Sequence, residues 1–124
     1  TQAMSDSPNN TNFNQPIRDE QTLRAKGGDP NHEDPKRRPT DPVGLSRSIL
    51  HVLEKHEYVK VLSVGPTAMT SVMSAFRLAA REIEGLTHSS VLVARQSEYT
   101  AEINNKPTKG ICTRIFAIPI KFAQ

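Results

Sequence analysis

The side chains with the clearest chemistry in this sequence are basic, and they fall in two clusters. Lys36, Arg37 and Arg38 are consecutive, and Lys106 and Lys109 lie close together in a second segment. Lys and Arg neutralise phosphate groups and release their counterions, so such clusters are suited to a polyanion. A simpler interpretation also exists, in which the first cluster is a solvated linker and the second keeps a strand edge from aggregating.

Residue sets that support catalysis are missing from the sequence. The four histidines are scattered, and none is spaced with Cys or Asp as a metal site requires. No glycine-rich phosphate loop follows a predicted strand. The single cysteine, Cys112, excludes an internal disulfide and reads as an inert buried thiol. We therefore expect a protein that is not an enzyme and that has no metal site and no cofactor.

Two amphipathic helices are predicted, and the second is the stronger. Its apolar residues repeat with a period of 3.6 and line one face. They are Met69, Val72, Met73, Phe76, Ala80 and Ile83. Pro66 suits its first turn and Gly85 its C-terminal end. The shorter first helix follows Asp41-Pro42 and repeats apolar residues from Leu45 to His56. Because each helix has one apolar side, both should lie on a sheet.

Three segments are predicted as strands from their β-branched and aromatic residues: Tyr58 to Val64, Ser90 to Arg95, and Arg114 to Phe122. A turn-rich tip from Asn104 to Gly110 joins the last two. Pro119 cannot donate a ladder hydrogen bond and should sit at an edge or a bulge. From residue 44 onward the predicted order is helix, strand, helix, strand, strand.

The N-terminal third differs in composition from the rest of the chain. It has few large hydrophobic residues and is dense in Asn, Asp, Pro, Lys and Arg. We predict a mostly extended or disordered arm over residues 1–42 and a folded domain over residues 43–124. A short strand at about Gln21 to Lys26 or Lys36 to Thr40 is the alternative for part of the arm.

Charge divides at the same boundary. Residues 1–42 hold six basic and seven acidic residues, whereas the remainder holds ten basic and six acidic ones. The isoelectric point near 9.2 allows a polyanion partner without demanding one. No run of 18 apolar residues and no apolar leader is visible, so we expect no membrane partner. We expect an intracellular location, which is cytoplasmic or, as alternatives, nuclear or organellar. Thr1 to Ala3 precede Met4 and are either a tag remnant or a processed N-terminus.

The segment from Val43 to Phe122 resembles the Alba superfamily, including its stage V sporulation protein S branch. The nine residues from Val61 to Met69, VLSVGPTAM, are similar to the family's strand that ends in a small-residue turn and opens helix two. Ala68 and Ala75 stand where the family favours small residues. The chain departs from the family in its uncharged Val64, Ser71 and Ser74, and the family's first strand is not evident. The C-terminal domain of translation initiation factor 3 and the RNA-binding domains of group II intron splicing factors share the same order of elements.

The resemblance implies an α+β fold of order β-α-β-α-β-β, with a four-stranded mixed sheet and two helices on one face. It also implies a homodimer, or a heterodimer with a related Alba-like subunit, that binds DNA or RNA; we favour RNA. Carried over by position, the nucleic-acid-binding residues are Lys36, Arg37, Arg38, Arg47, Lys106, Lys109 and Arg114. The dimer interface carried over in the same way is Met69, Met73 and Phe76, whose alternative role is core packing.

Other interpretations of these residues stay open. Arg95 and Arg114 could pair with Glu98 and Glu102 across the sheet, which would leave little charge for a ligand. Tyr99 could stack on a base or pack against the hairpin. The alternative function is a structural or assembly subunit of a ribonucleoprotein or another complex, in which the Alba-like domain is a dimerisation or docking module.

Overall fold

A computed structural model describes residues 11–12, 20–87 and 90–119 of the 124-residue chain. The helices are α1, Pro42–Leu53, and α2, Pro66–Thr87. The strands are β1, Thr11–Asn12; β2, Thr22–Ala25; β3, Tyr58–Ser63; β4, Ser90–Ile103; and β5, Lys106–Pro119. From β2 onward the elements follow the order β-α-β-α-β-β.

The four longer strands form a mixed sheet in the order β4-β5-β3-β2. β2 and β3 are parallel, whereas β5 is antiparallel to both β3 and β4. The two-residue β1 adds to the outer edge of the sheet, parallel to β4. The expected α+β fold with a four-stranded mixed sheet and two helices is therefore observed.

The first helix begins where the sequence predicts. The Asp41 carboxylate accepts hydrogen bonds from the N–H groups of Val43 and Gly44, at 3.4 and 3.3 Å, and Pro42 occupies the first turn. An Asp at this position satisfies N–H groups that have no partner within the helix. Leu45, Ile49 and Val52 are buried, so the apolar side of α1 faces the sheet as expected.

The second helix differs from the prediction at its end and in its buried face. Gly85 does not end α2, which continues to Thr87, because the exposed last turn tolerates a glycine with open space around it. The fully buried residues of α2 are Ala68, Val72, Ala75 and Ala79. The large apolar residues of the predicted face flank this line of small ones. Within the described residues, no helix has both the length and the apolar character needed to cross a membrane.

Both helices pack on the same face of the sheet. Strand side chains alternate between the two faces. Val59 and Val61 of β3 and Ile115 of β5 lie in one core cluster with residues of α1 and α2. A smaller cluster, Leu62, Tyr99, Ala101 and Cys112, lies on the opposite side, which we call the distal face.

The hairpin is longer than predicted, and its tip is shorter. β4 and β5 have 14 residues each, and only Asn104 and Asn105 lie between them. Both have positive φ, 52° and 62°, which is typical of a type I′ turn. The expected tip from Asn104 to Gly110 is thus mostly strand. Residues 106–110 of β5 have no β3 beside them. Polar residues are tolerated there, and they hide the strand pattern in the sequence.

Pro119, the last residue of β5, lies at a position where its missing N–H costs no hydrogen bond to β3. Pro119 is paired with Ser90, beyond Phe116, the last β5 residue that pairs with β3. The edge position expected for Pro119 is therefore confirmed. Residues 120–122 of the predicted last strand lie outside the described residues.

A strand at Gln21 to Lys26, one of the alternatives for the N-terminal segment, is confirmed as β2. Leu23 and Ala25 pack in the core beside β3. The other alternative is wrong, because Pro35–Arg37 form a 3-10 turn and not a strand. The sheet thus includes residues before position 43, where we expected the domain to begin. The rest of the expected arm, residues 1–19 apart from Thr11–Asn12, lies outside the described residues.

Candidate nucleic-acid interface

The loop before α1 and the β4–β5 hairpin lie at the same end of the sheet. β3 ends at Ser63, which pairs with Ile111, so residues 98–103 and 106–110 of the hairpin extend past β3. β2 ends beside Ser63 as well, at Ala25, and the loop over residues 26–41 leaves from there. The structure therefore brings the two basic clusters of the sequence to one end, which we call the hairpin end.

Within the loop, Arg38 is committed to local hydrogen bonds. Its Nε donates to the carbonyl oxygen of His32 at 2.6 Å and its Nη2 to that of Glu33 at 3.3 Å. The Nζ of Lys26 donates to the carbonyl of Lys36. Lys36, Arg37 and Arg38 are all exposed, but these hydrogen bonds occupy the Arg38 guanidinium, so Lys36 and Arg37 are better placed to contact a ligand.

The loop is fixed to the start of α2. The N–H of Gly28 donates to Oγ1 of Thr67 at 3.1 Å, and Oγ of Ser71 donates to the carbonyl of Thr40 at 2.7 Å. A Cβ on Gly28 would collide with the Arg37 carbonyl, so a glycine is required for this close approach. The backbone of the loop that carries the basic residues is therefore anchored to α2 near both of its ends.

Acidic residues balance the charge of this loop. Residues 26–41 contain four basic and four acidic residues. The acidic ones, Asp29, Glu33, Asp34 and Asp41, are all exposed. Because exposed charges are screened beyond about 10 Å, a ligand would respond to individual side chains more than to the loop as a whole.

The remaining predicted contacts lie on α1 and on the hairpin. Arg47 is exposed on α1, and Lys106 is exposed next to the turn. Nζ of Lys109 lies 3.9 Å from a carboxylate oxygen of Glu98, and both side chains are exposed. An exposed pair of this kind is weak and leaves Lys109 available to a stronger anion.

Arg114 lies on the distal face, away from the other predicted residues. It is directly opposite Lys60 of β3 on one side and Arg95 of β4 on the other. Lys60, Arg114 and Arg95 form what we call the cation row. Of these three residues, only Arg114 was predicted as a nucleic-acid contact, because the signal for the row is the strand register and not the composition of any one strand.

The pairing considered for Arg95 and Arg114 with acidic residues of the hairpin is not observed. Glu98 and Glu102 are an odd number of residues from Arg95 along β4, so they lie on the other face of the strand. Glu98 pairs with Lys109 instead. The charge of Arg95 and Arg114 is therefore not neutralised by these two carboxylates.

Aromatic residues adjoin the cation row. The rings of Tyr58 and Phe116 are 5.6 Å apart with an interplanar angle of 44°. Tyr58 precedes Lys60 by two residues and Phe116 follows Arg114 by two, so both rings lie on the same face as the row. Both are half-buried, which leaves part of each ring accessible.

Tyr99 has a packing role and does not stack on a ligand. Its side chain is only 3% exposed, and its hydroxyl has no hydrogen-bond partner among the described residues. Burial raises the pKa of Tyr99 to about 12, the nearby Cys112 adds to this, and Arg24 opposes it. Burial likewise raises the pKa of the Cys112 thiol, against the opposing effect of Arg114 and Lys60. The thiol is therefore unreactive.

Two of the three predicted dimer residues, Met73 and Phe76, line a groove on the helix-bearing face that the described residues leave uncovered. Met73 is 49% exposed, whereas Met69 and Phe76 are half-buried against the core. The groove has a volume of about 270 Å³ and runs between α2 and the hairpin. Its lining is Val72, Met73, Phe76, Ala94, Gln96 and Thr113.

Within the described residues, no group of three or more His, Cys, Asp or Glu side chains is arranged to hold a metal ion. Comparisons with protein-family models and with curated proteins give no match to this chain.

Proposed function

We propose that this protein is a small non-catalytic nucleic-acid-binding protein, with RNA favoured over DNA, that acts as an Alba-type dimer. The observation that carries the proposal is the placement of the basic loop and the lysine-bearing hairpin at one end of the sheet. The mixed sheet of four longer strands, with both helices on one face, is compatible with the fold that the Alba resemblance implies and supports the proposal.

The chemistry at the hairpin end suits a phosphate backbone. Lys36, Arg37, Arg47, Lys106 and Lys109 are exposed on long, flexible side chains. Such contacts position a polyanion without reading its sequence, and they weaken as salt competes for the phosphates. We therefore expect binding that depends strongly on salt and weakly on base sequence.

Fluorescence anisotropy with labelled RNA and DNA oligonucleotides at low salt tests the proposal. We expect binding by the wild-type protein, and a lower affinity with a shallower salt dependence for the Lys106→Gln/Lys109→Gln variant. Lys55→Gln is the control, because Lys55 is exposed between α1 and β3, at the opposite end of the sheet. If no RNA or DNA binds at low salt, the proposal is refuted.

A second function is favoured by the balanced charge of the loop and by the Lys109–Glu98 pair. In this alternative the domain is a dimerisation or docking module of a ribonucleoprotein or another complex. Its partner would occupy the groove beside Met73. Tight RNA binding by the isolated protein would favour the first proposal over this one, since an assembly subunit does not need RNA affinity of its own.

A further inference from the structure

His32 lies in the middle of the loop that carries the basic residues, and three of its polar groups form hydrogen bonds inside that loop. Its N–H donates to the carbonyl oxygen of Asp29 at 3.1 Å, and its own carbonyl oxygen accepts from Nε of Arg38 at 2.6 Å. The residue is half-buried, and Nδ1 of its imidazole accepts from the N–H of Asp34 at 3.0 Å. His32 therefore joins the first half of the loop to the second.

The hydrogen bond to the imidazole is the middle one of three similar turns. In each turn a side chain accepts from the N–H group two residues further along the chain. The pairs are Asp29 Oδ1 with the N–H of Asn31 at 2.9 Å, His32 Nδ1 with that of Asp34, and Asp34 Oδ1 with that of Lys36 at 3.0 Å. The third turn begins the 3-10 helix Pro35–Arg37, so the positions of Lys36 and Arg37 depend on this run of turns.

Protonation of an imidazole changes its hydrogen bonding. A neutral imidazole has one nitrogen that accepts and one that donates, whereas a protonated imidazole has two donors and no acceptor. Imidazole is the side chain that ordinarily changes charge between about pH 5 and pH 8, whereas carboxylates ordinarily titrate below that range. A proton on Nδ1 of His32 would leave the N–H of Asp34 without its acceptor. The middle turn would then break while the other two keep their carboxylates.

The charged groups near His32 along the chain and at this end of the sheet are of both signs. On its loop they are Lys26, Asp29, Glu33, Asp34, Lys36, Arg37, Arg38 and Asp41, and on the hairpin they are Glu98, Glu102, Lys106 and Lys109. β2 contributes Arg24 and α1 contributes Arg47, whereas α2 has no charged residue from Pro66 to Phe76. Added charge on His32 would attract a polyanion, but loss of the turn would weaken its contacts. The two effects have opposite signs, so an experiment can separate them.

We infer that His32 is a positioning residue, which holds Lys36 and Arg37 in place only while its imidazole is neutral. The inference rests on the proposed function and deepens it, because it names how the nucleic-acid contact is regulated. Acidification releases the loop and weakens binding. The physical reason is that side chains presented in a fixed arrangement lose less conformational freedom on binding than side chains on a loose loop.

Fluorescence anisotropy with labelled oligouridylate, whose bases do not titrate in this range, compares three proteins at about pH 5 and about pH 8. His32→Asn keeps an acceptor for the N–H two residues on and does not titrate, whereas His32→Ala removes the acceptor. At the higher pH, wild-type and His32→Asn should bind alike and His32→Ala about fivefold more weakly, as expected for the loss of one hydrogen bond.

The lower pH separates positioning from charge. There the wild-type protein should bind about fivefold more weakly than His32→Asn, because only the wild-type loses its acceptor. An added charge without a positioning role would instead make the wild-type bind more tightly. His51→Asn is the matched control, since it removes an exposed imidazole that lies beside Glu54 on α1, outside the loop. It should follow the wild-type at both pH values.

NMR gives a readout that needs no nucleic acid. The amide signal of Asp34 should shift with pH together with the ring signals of His32, and it should not do so in His32→Asn. If the wild-type protein binds no nucleic acid while the two signals shift together, the proposed function fails and the role of His32 in the loop stands. If RNA binds, but the Asp34 amide does not follow the ring, the proposed function stands and the inference is overturned. Equal affinities of wild-type and His32→Ala at the higher pH overturn it as well.

Discussion

At the residue scale, Gly110 shows how a single side chain can be excluded by its neighbours. It pairs with Tyr99 across the hairpin, and the Tyr99 ring lies against its backbone. A Cβ at position 110 would be 2.7 Å from Cε1 of Tyr99 and 2.8 Å from the carbonyl oxygen of Ser63. The absence of a side chain is therefore what lets the ring pack there.

We expect Gly110→Ala to lower the free energy of unfolding by about 1–3 kcal/mol, because the added methyl group overpacks this site. Urea denaturation measures the change. Gly85→Ala is the matched control, since nothing lies within 4 Å of that Cβ and the residue is helical. It should be neutral or stabilising, by up to about 1 kcal/mol. Equal stability of Gly110→Ala and wild-type would contradict this packing.

The ionisation of Tyr99 should affect the free energy of unfolding at alkaline pH. Its pKa is raised to about 12 in the folded state by burial, and an unfolded Tyr titrates near pH 10. Below about pH 10 the phenol is neutral in both states, so its contribution to stability is fully present there. As pH rises toward 12, the unfolded state ionises first and stability falls.

The expected loss between pH 10 and pH 12 is at most about 3 kcal/mol. Comparing urea denaturation of wild-type and Tyr99→Phe across this range isolates it from the titration of lysines, which the two proteins share. Tyr99→Phe should also cost little stability at neutral pH, because the hydroxyl has no partner among the described residues. Parallel pH profiles for the two proteins would show that Tyr99 does not titrate as described.

At the element scale, the two-residue turn fixes the register of the hairpin. Asn104 and Asn105 both occupy the left-handed region, which Asn tolerates better than other residues with a Cβ. The turn sets Ile103 opposite Lys106, and every later pair along β4 and β5 follows from it. The turn at the tip of the hairpin therefore also determines that Arg95 lies directly opposite Arg114.

Replacing Asn105 with Val should destabilise the protein by about 1–2 kcal/mol, because a β-branched side chain is strained at positive φ. Asn105→Gly keeps the turn accessible and should match or exceed the wild-type stability. Thermal unfolding followed by circular dichroism compares the three proteins. If the Val variant and the wild-type protein had the same melting temperature, the turn would not hold this conformation in solution.

At the scale of the whole molecule, the groove between α2 and the hairpin is the surface proposed for self-association. Met73 is its most exposed large apolar residue, and Gln96 lies beside it with its amide nitrogen 3.2 Å from Oγ1 of Thr113. A second subunit that buries Met73 would remove apolar area from water and stabilise a dimer.

Size-exclusion chromatography with light scattering should therefore give twice the chain mass of 13.7 kDa for the wild-type protein. Met73→Glu should give the monomer, since a buried unpaired carboxylate opposes association. Leu86→Glu changes a residue of α2 that is 75% exposed and outside the groove lining, and it should remain dimeric. A wild-type monomer at all concentrations would contradict the Alba-type dimer.

Local sequence patterns determined most of the elements. Some signals act over a few neighbouring residues and could be predicted without the fold. They are the period of 3.6 in α2, the Asp41 cap of α1 and the β-branched run of β3. The exposure of Lys36, Arg37, Lys106 and Lys109 likewise follows from their polar surroundings. β2 stood only as an alternative, because four residues are too few to establish a period.

Tertiary structure alone decided which of these residues act together. Lys60 and Arg114 are 54 positions apart in the sequence and become neighbours only through the register of β3 and β5. The same register assigns Arg95 and Glu98 to opposite faces, and the packing of small residues in α2 leaves Met73 at the rim of the groove. Pairing between distant strands is set by the whole sheet and its core, and no local pattern of residues encodes it.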